Sequence, residues 1–145
     1  MVKVKMQKTE DYHKLVDFFI ENDLEFDEGE EEETNYILAY EITHGGDLVA
    51  AIALSLTDGQ YVISGIAVDK IYRKMKLGKV LLDKIITKAK EMGAKELILV
   101  ARAPGFFKKF GFVNIPKDEE PDFFTCKECP QNGIKCFPEV LKLVL

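Results

Sequence analysis

Chemistry in this chain concentrates between Gly65 and Lys79, where Arg73, Lys74, Lys76 and Lys79 crowd around a single glycine, Gly78. An apolar, β-branched run from Tyr61 to Val68 leads into this basic connector, and an amphipathic helical pattern starts directly after it. A helix start leaves main-chain N–H groups unpaired and carries the positive end of the helix dipole. Four cationic side chains at such a point, with a glycine that admits a ligand close to the main chain, make a site for a phosphate-like anion. The same stretch also reads as an ordinary strand–turn–helix with its lysines facing water, and local chemistry leaves both readings open.

Other reactive groups are sparser. Cys126, Cys129 and Cys136 form a Cys-x-x-Cys plus one. A structural zinc site wants four tetrahedral ligands, so a fourth would have to come from His13, His44, a carboxylate or a neighbouring subunit. Reduced thiols in a loop are the simpler reading, and no metal ligand is assigned. From Glu21 to Glu33 nine of thirteen residues are acidic, which reads as a solvated segment or as an arm that attracts a cationic amine. Arg102 offers a planar fork for a carboxylate, or simply faces water.

These groups need elements to hold them. Residues 1–6 alternate apolar and basic and predict an edge strand. Thr9 stands as a helix N-cap, followed by a helix that buries Tyr12, Leu15, Val16, Phe18 and Phe19. Tyr36–Thr43, Leu48–Leu56 and Gln60–Val68 predict an antiparallel meander, turned at His44-Gly45-Gly46-Asp47 and at Asp58-Gly59. Gly65, inside the third of these strands, marks a bulge or a close approach to the backbone. Leu77–Met92 predicts a helix that buries Leu77, Val80, Leu81, Ile85, Ala89 and Met92, with Gly93 ending it. Glu96–Ala101 then completes a strand–helix–strand unit whose strands run parallel. Glu139–Leu145 reads as a final strand that pairs with Phe112–Ile115.

Length and composition set bounds. A chain of 145 residues with 47% apolar content fits one domain over residues 1–145, with a cysteine-containing segment at 116–145. A net charge of −5 argues against general nucleic-acid binding. No apolar run is long enough to span a bilayer and the first residues lack a leader pattern, so no membrane is expected and the cytoplasm is the expected compartment.

Val68, Tyr72, Arg73, Lys76, Gly78, Lys79, Leu81 and Leu82 together resemble the acetyl-CoA signature of the GNAT N-acetyltransferases, whose loop reads Arg/Gln-x-x-Gly-x-Gly/Ala. Phe106-Phe107-Lys108-Lys109-Phe110-Gly111-Phe112 resembles the short helix and Gly-Phe that follow that family's fifth strand. The two blocks stand in the family's order, and with the Cys-x-x-Cys-Pro segment they most resemble the N-acetylglutamate-synthase-like amino-acid acetyltransferases. The resemblance implies an α/β (α+β) fold. Its mixed, mostly antiparallel central sheet would have about six to seven strands, with helices on both faces and a splayed parallel strand pair. It implies acetyl-CoA as co-substrate and a small amine as acceptor, and leaves a homodimer open.

On this resemblance the cofactor would be held by Ile66, Ala67, Val68, Arg73, Lys74, Met75, Lys76, Leu77, Gly78, Lys79 and Phe107. On the resemblance the Ile66 N–H would polarise the thioester carbonyl. Tyr61–Val68 lacks the glutamate that many relatives carry on that strand, so the residues here are read with Ser64 holding a water through which Glu41, on a neighbouring strand, takes the amine's proton. Tyr61 and His44 are the other candidates for the base. Two positions depart from the family. Lys76 replaces the first loop glycine, and Phe107 stands where many relatives carry a proton-donating tyrosine. These departures, with the lack of a carboxylate on Tyr61–Val68, keep open a non-catalytic acyl-CoA-binding or regulatory module, and the three cysteines keep open a metal-binding interaction protein.

Overall fold

The computed structural model describes residues 4–21, 36–57, 59–101, 104–115 and 139–145. In chain order these form β1 (Lys5–Lys8), α1 (Tyr12–Glu21), β2 (Tyr36–His44), β3 (Asp47–Thr57), β4 (Gln60–Val68), α2 (Leu77–Glu91), β5 (Glu96–Ala101), α3 (Pro104–Lys108), β6 (Val113–Asn114) and β7 (Glu139–Val144). A 3-10 turn, Lys70–Met75, joins β4 to α2.

Turn chemistry explains the meander. Gly45 and Gly46 take φ values of 60° and 89°, the paired left-handed conformation of a two-residue hairpin, and His44 pairs with Asp47 across it. The sheet runs β1-β2-β3-β4-β5-β7-β6, and every neighbouring pair is antiparallel except β4 with β5. The expected mixed sheet with one parallel pair is therefore present. The last strand pairs with β6, as expected, but it also inserts between β6 and β5.

The strands' two-residue period divides the core. On β3, Ile52 and Leu54 join the cluster around Leu77, Leu81, Leu82 and Ile85 of α2, whereas Ala51 and Ala53 join Leu15, Phe18 and Phe19 of α1. Small residues on the second face (Ala39, Ala51, Ala53, Ala67) leave room for the two phenylalanine rings. Helices thus cover both faces. Among the described residues, no helix is long and apolar enough to cross a membrane.

Local boundaries differ from expectation in three places. β1 runs Lys5–Lys8, past the expected end of the edge strand at residue 6, and residues 1–3 of that expectation lie outside the described residues. Asp11, not Thr9, caps α1: its Oδ1 accepts from the Lys14 N–H at 3.2 Å, while Thr9 Oγ1 accepts from the Asp11 N–H. On α2, Val80 and Met92 are exposed and Leu82 is buried instead, because the buried stripe runs through Leu77, Leu81, Leu82, Ile85 and Ala89.

Gly65 is both things a strand glycine can be. The β3–β4 register steps from Ala53↔Gly65 to Leu54↔Ile63, leaving Ser64 as the extra residue of a bulge. A methyl group at Gly65 would stand 2.5 Å from the nearest ring carbon of Phe19, so the ring rests directly on the strand's backbone. Gly65→Ala should therefore lower stability by about 1–3 kcal/mol in urea denaturation. Phe19→Leu combined with it should recover part of the loss, which a backbone effect of the alanine would not allow.

Candidate functional site

An unpaired strand edge is the first component of the site. β4 pairs with β5 only at Tyr61↔Leu97 and Val62↔Ile98, after which the two strands part. The Asp69 N–H donates to the Val49 carbonyl at 2.8 Å. Antiparallel pairing alternates, so Asp69 and Ala67 turn their main-chain groups toward β3, and Ile66 and Val68 turn theirs the other way. The N–H and C=O of Ile66 and Val68 therefore face the gap left by β5. Ala67 contributes no main-chain group to it, and its side chain packs under α1.

The turn after β4 forms the second component. Asp69 caps it by accepting from the Ile71 N–H at 3.0 Å, and the Tyr72 N–H returns to the Asp69 carbonyl at 2.8 Å. Arg73 is exposed, and its Nε donates to the Val68 carbonyl at 3.2 Å, so the guanidinium stands beside the open edge. Met75 is exposed as well. Lys76 then takes φ 59°, ψ 31° and starts α2. It is the only non-glycine among the described residues with positive φ, and it occupies the place where the family pattern has glycine.

No side chain caps α2, no acidic residue lies in its first turn, and Lys76 and Lys79 are exposed there. Positive side chains at the positive end of a helix dipole cost stability, and a bound anion would offset that. Leu77 is buried and anchors this end of the helix. Gly78 faces the cleft side less freely than its type suggests. A methyl there would lie 3.3 Å from the Phe106 ring and 3.7 Å from Val68 Cγ2, so the head of α2, the end of β4 and α3 converge at this point.

Proton-transfer groups are placed differently. Glu41 is buried on β2, and the Lys14 Nζ from α1 donates to both its oxygens at 3.2 and 3.3 Å. Ser64 at the bulge donates to the Ala53 carbonyl and accepts from Ser55 Oγ at 2.9 Å. No hydrogen bond joins Ser64 to Glu41 directly. Tyr61 packs against the α2-side core, and His44 Nδ1 pairs with Tyr72 Oη at 2.7 Å. Phe107 is buried, with its ring between those of Phe106 and Phe112. Arg102, Cys126, Cys129, Cys136 and all of the acidic stretch beyond Glu21 lie outside the described residues.

Residues 68–79 are thus brought to one corner, at the open edge of β4. The His44–Tyr72 and Ser55–Ser64 pairs were not foreseen. Both join residues on neighbouring or crossing segments, and no spacing in the sequence signals them.

Residues 6–112 match the family model for the acetyltransferase (GNAT) family. The fold is similar to an acetyltransferase of the GNAT family from Staphylococcus aureus Mu50, at 22% identity and a TM-score of 0.74 over 99% of each chain. It is also similar to an acetyltransferase from Bacillus subtilis solved in complex with CoA, at 24% identity and a TM-score of 0.71 over 99% of each chain. An N-acetylglutamate synthase from Neisseria gonorrhoeae, complexed with CoA and N-acetyl-glutamate, matches at 21% identity and a TM-score of 0.72. That match covers 100% of this chain but 36% of the other.

The left-handed conformation of Lys76 is open to test. A β-branched residue is poorly accommodated there, so Lys76→Val should cost about 1 kcal/mol of stability. Lys76→Gly should cost nothing or gain up to about 1 kcal/mol. Chemical denaturation of the two variants reads the difference.

Proposed function

Because this chain belongs to the GNAT family of acetyltransferases, we propose that it transfers the acetyl group of acetyl-CoA to a primary amine of a small molecule, by direct attack in a ternary complex. The observation that carries this reading is the early end of the β4–β5 pairing. It leaves two residues of hydrogen-bonding backbone, Ile66 and Val68, facing a gap whose mouth is a basic turn and an uncapped helix. A thin amide-bearing arm ending in a diphosphate is what such an edge and such a mouth would accommodate together. Acetyl-CoA is the co-substrate of this family, and the chain's donors are complementary to it.

In this proposal the Ile66 N–H donates to the thioester carbonyl oxygen and stabilises the charge that grows there. One such donor in a dry site is worth roughly 2.7–4 kcal/mol. Val68 continues the same edge. Amides from Arg73 to Lys79, with the exposed cations of that turn, hold the diphosphate. The amine attacks once it is neutral, and holding both reactants in place removes any need for a covalent enzyme intermediate. Ser64 and Glu41 remain the proposed route for the proton. That route requires Glu41 to exchange Lys14 for a water, since the pair is closed as it stands.

For the acceptor, we propose an amine of amino-acid size, a reading supported by the likeness to the N-acetylglutamate synthase. Read as an arm beside the acceptor site and not as a merely solvated segment, the acidic run from Glu21 to Glu33 would disfavour an acceptor that carries two carboxylates. A second reading, a non-catalytic acyl-CoA-binding module, draws support from Phe107, which has no proton to give, and from the closed Lys14–Glu41 pair.

Two measurements separate these. Acetyl-CoA at about 100 times its Kd should stabilise the fold by about 2.7 kcal/mol, seen as a rise in melting temperature. Release of free thiol with an amine panel, neutral, cationic and dicarboxylic, should then accompany it. Stabilisation with no thiol released by any amine would establish the second reading, and no stabilisation at millimolar cofactor would remove both. Glu41→Gln adds a further check. As the base, it should lose about 10²–10⁴-fold in kcat with little change in KM. Unchanged kcat would reduce Glu41 to the structural partner of Lys14.

A further inference from the structure

We infer that His44 is a positioning residue for cofactor binding: through Tyr72 it holds the turn that presents the diphosphate-binding amides. The inference rests on the proposed role of that turn and adds to it a residue from a different part of the chain.

Among the turn's described side chains, Tyr72 is the one that packs against the core. Lys70, Ile71, Arg73 and Met75 are all exposed, Ile71 at 85%, whereas Tyr72 is half-buried and packs against the α2-side core. The turn's main chain is tied to itself through Asp69 and to β3 through the Asp69 N–H. Those bonds fix its beginning. In its middle, the exposed Arg73 side chain donates from Nε to the Val68 carbonyl at 3.2 Å, and the part-buried tie is the ring of Tyr72 with its hydroxyl paired to His44 Nδ1, at 2.7 Å with the rings edge to face at 72°.

His44 is well placed to serve as the fixed end. It closes β2 directly before the two-glycine turn, where it pairs with Asp47, so its backbone is held by one of the tightest hairpins in the fold. The bond therefore runs from a rigid strand end to a surface turn. It crosses 28 positions in sequence and is partly buried. One partner can donate whichever is protonated, because a neutral imidazole accepts from the phenol and the phenol oxygen accepts from an N–H.

The consequence is preorganisation. A turn that already holds its amides in place spends less conformational entropy when an anion binds, so affinity rises without any new contact to the ligand. Loss of the bond should then appear in cofactor affinity and not in the chemical step. Asparagine places its amide oxygen close to where Nδ1 stands, whereas alanine removes the partner.

The test uses the full chain with CoA titrated by calorimetry and acetyl-CoA kinetics where an acceptor is found. His44→Ala and Tyr72→Phe should each weaken CoA by about 3- to 10-fold, the worth of one ordinary hydrogen bond. The double variant should be no weaker than either single one, and His44→Asn should bind like the wild type. KM for acetyl-CoA should rise in both single variants; a fall in kcat confined to His44→Ala would make His44 the base and overturn its positioning role. The His44 imidazole nitrogen resonances should shift in Tyr72→Phe, a readout independent of any ligand. Wild-type affinity in His44→Ala, or losses that multiply in the double variant, would overturn the inference. Wild-type protein that binds no CoA would instead overturn the role of the turn itself, and this inference with it.

Discussion

Backbone groups that lack a neighbouring strand are the constraint around which this fold is built. Ile66 and Val68 carry donors and acceptors into a gap between two strands, in a region whose side chains are largely apolar. Unpaired main-chain groups are costly wherever water is scarce, so a fold that keeps such an edge must hold its strands apart against their tendency to pair. Two features do so. β5 pairs with β7 along its whole length, six residues against two with β4, which fixes its direction independently of β4. On the other side the bulge at Ser64 bends β4, and the Phe19 ring seated on Gly65 holds that bend from above.

Electrostatics follow from the same gap. An uncapped helix with lysines at its head is poor design for stability alone, because the dipole and the side chains repel. Arg73 partly relieves the edge by donating to the Val68 carbonyl. Among the described residues no side chain caps the head of α2, and the basic turn stands out against a chain whose net charge is −5. Lys76 belongs to the same economy of strain. Its left-handed conformation turns the chain from the 3-10 turn into α2, a geometry that glycine would adopt more easily.

Much of this was legible in the sequence, and the limits have physical causes. The hairpins were readable because Gly45-Gly46 and Asp58-Gly59 supply glycines that readily take the positive φ a two-residue hairpin requires, and Gly65 because a glycine inside a strand needs a reason. The parallel pair was readable because a strand–helix–strand unit closes in one hand. Where the strands part was not readable from composition, since Tyr61–Val68 looks the same whether it is paired for two residues or eight. The cap of α1 was misplaced because Thr9 and Asp11 both bear capping oxygens, and only the geometry shows which one reaches Lys14. Lys14 arrives at Glu41 from another element and takes both carboxylate oxygens, a pairing that no spacing in the sequence signals.

The missing tyrosine weighs less against catalysis than it first suggests. An alkyl thiol ionises at about pH 8.5, so a thiolate can leave near neutral pH without full protonation in the transition state. An alkoxide or amide leaving group would have no such latitude. In the proposed reaction Phe107 therefore removes an assisting group, not an obligatory one, and its buried ring packs against Phe106 and Phe112. The amine is different. It must lose its proton before it attacks, and the only buried carboxylate among the described residues is already paired with Lys14. In the proposed reaction the burden of acid–base chemistry thus falls on deprotonating the acceptor, whose own pKa would decide how much help the protein must supply.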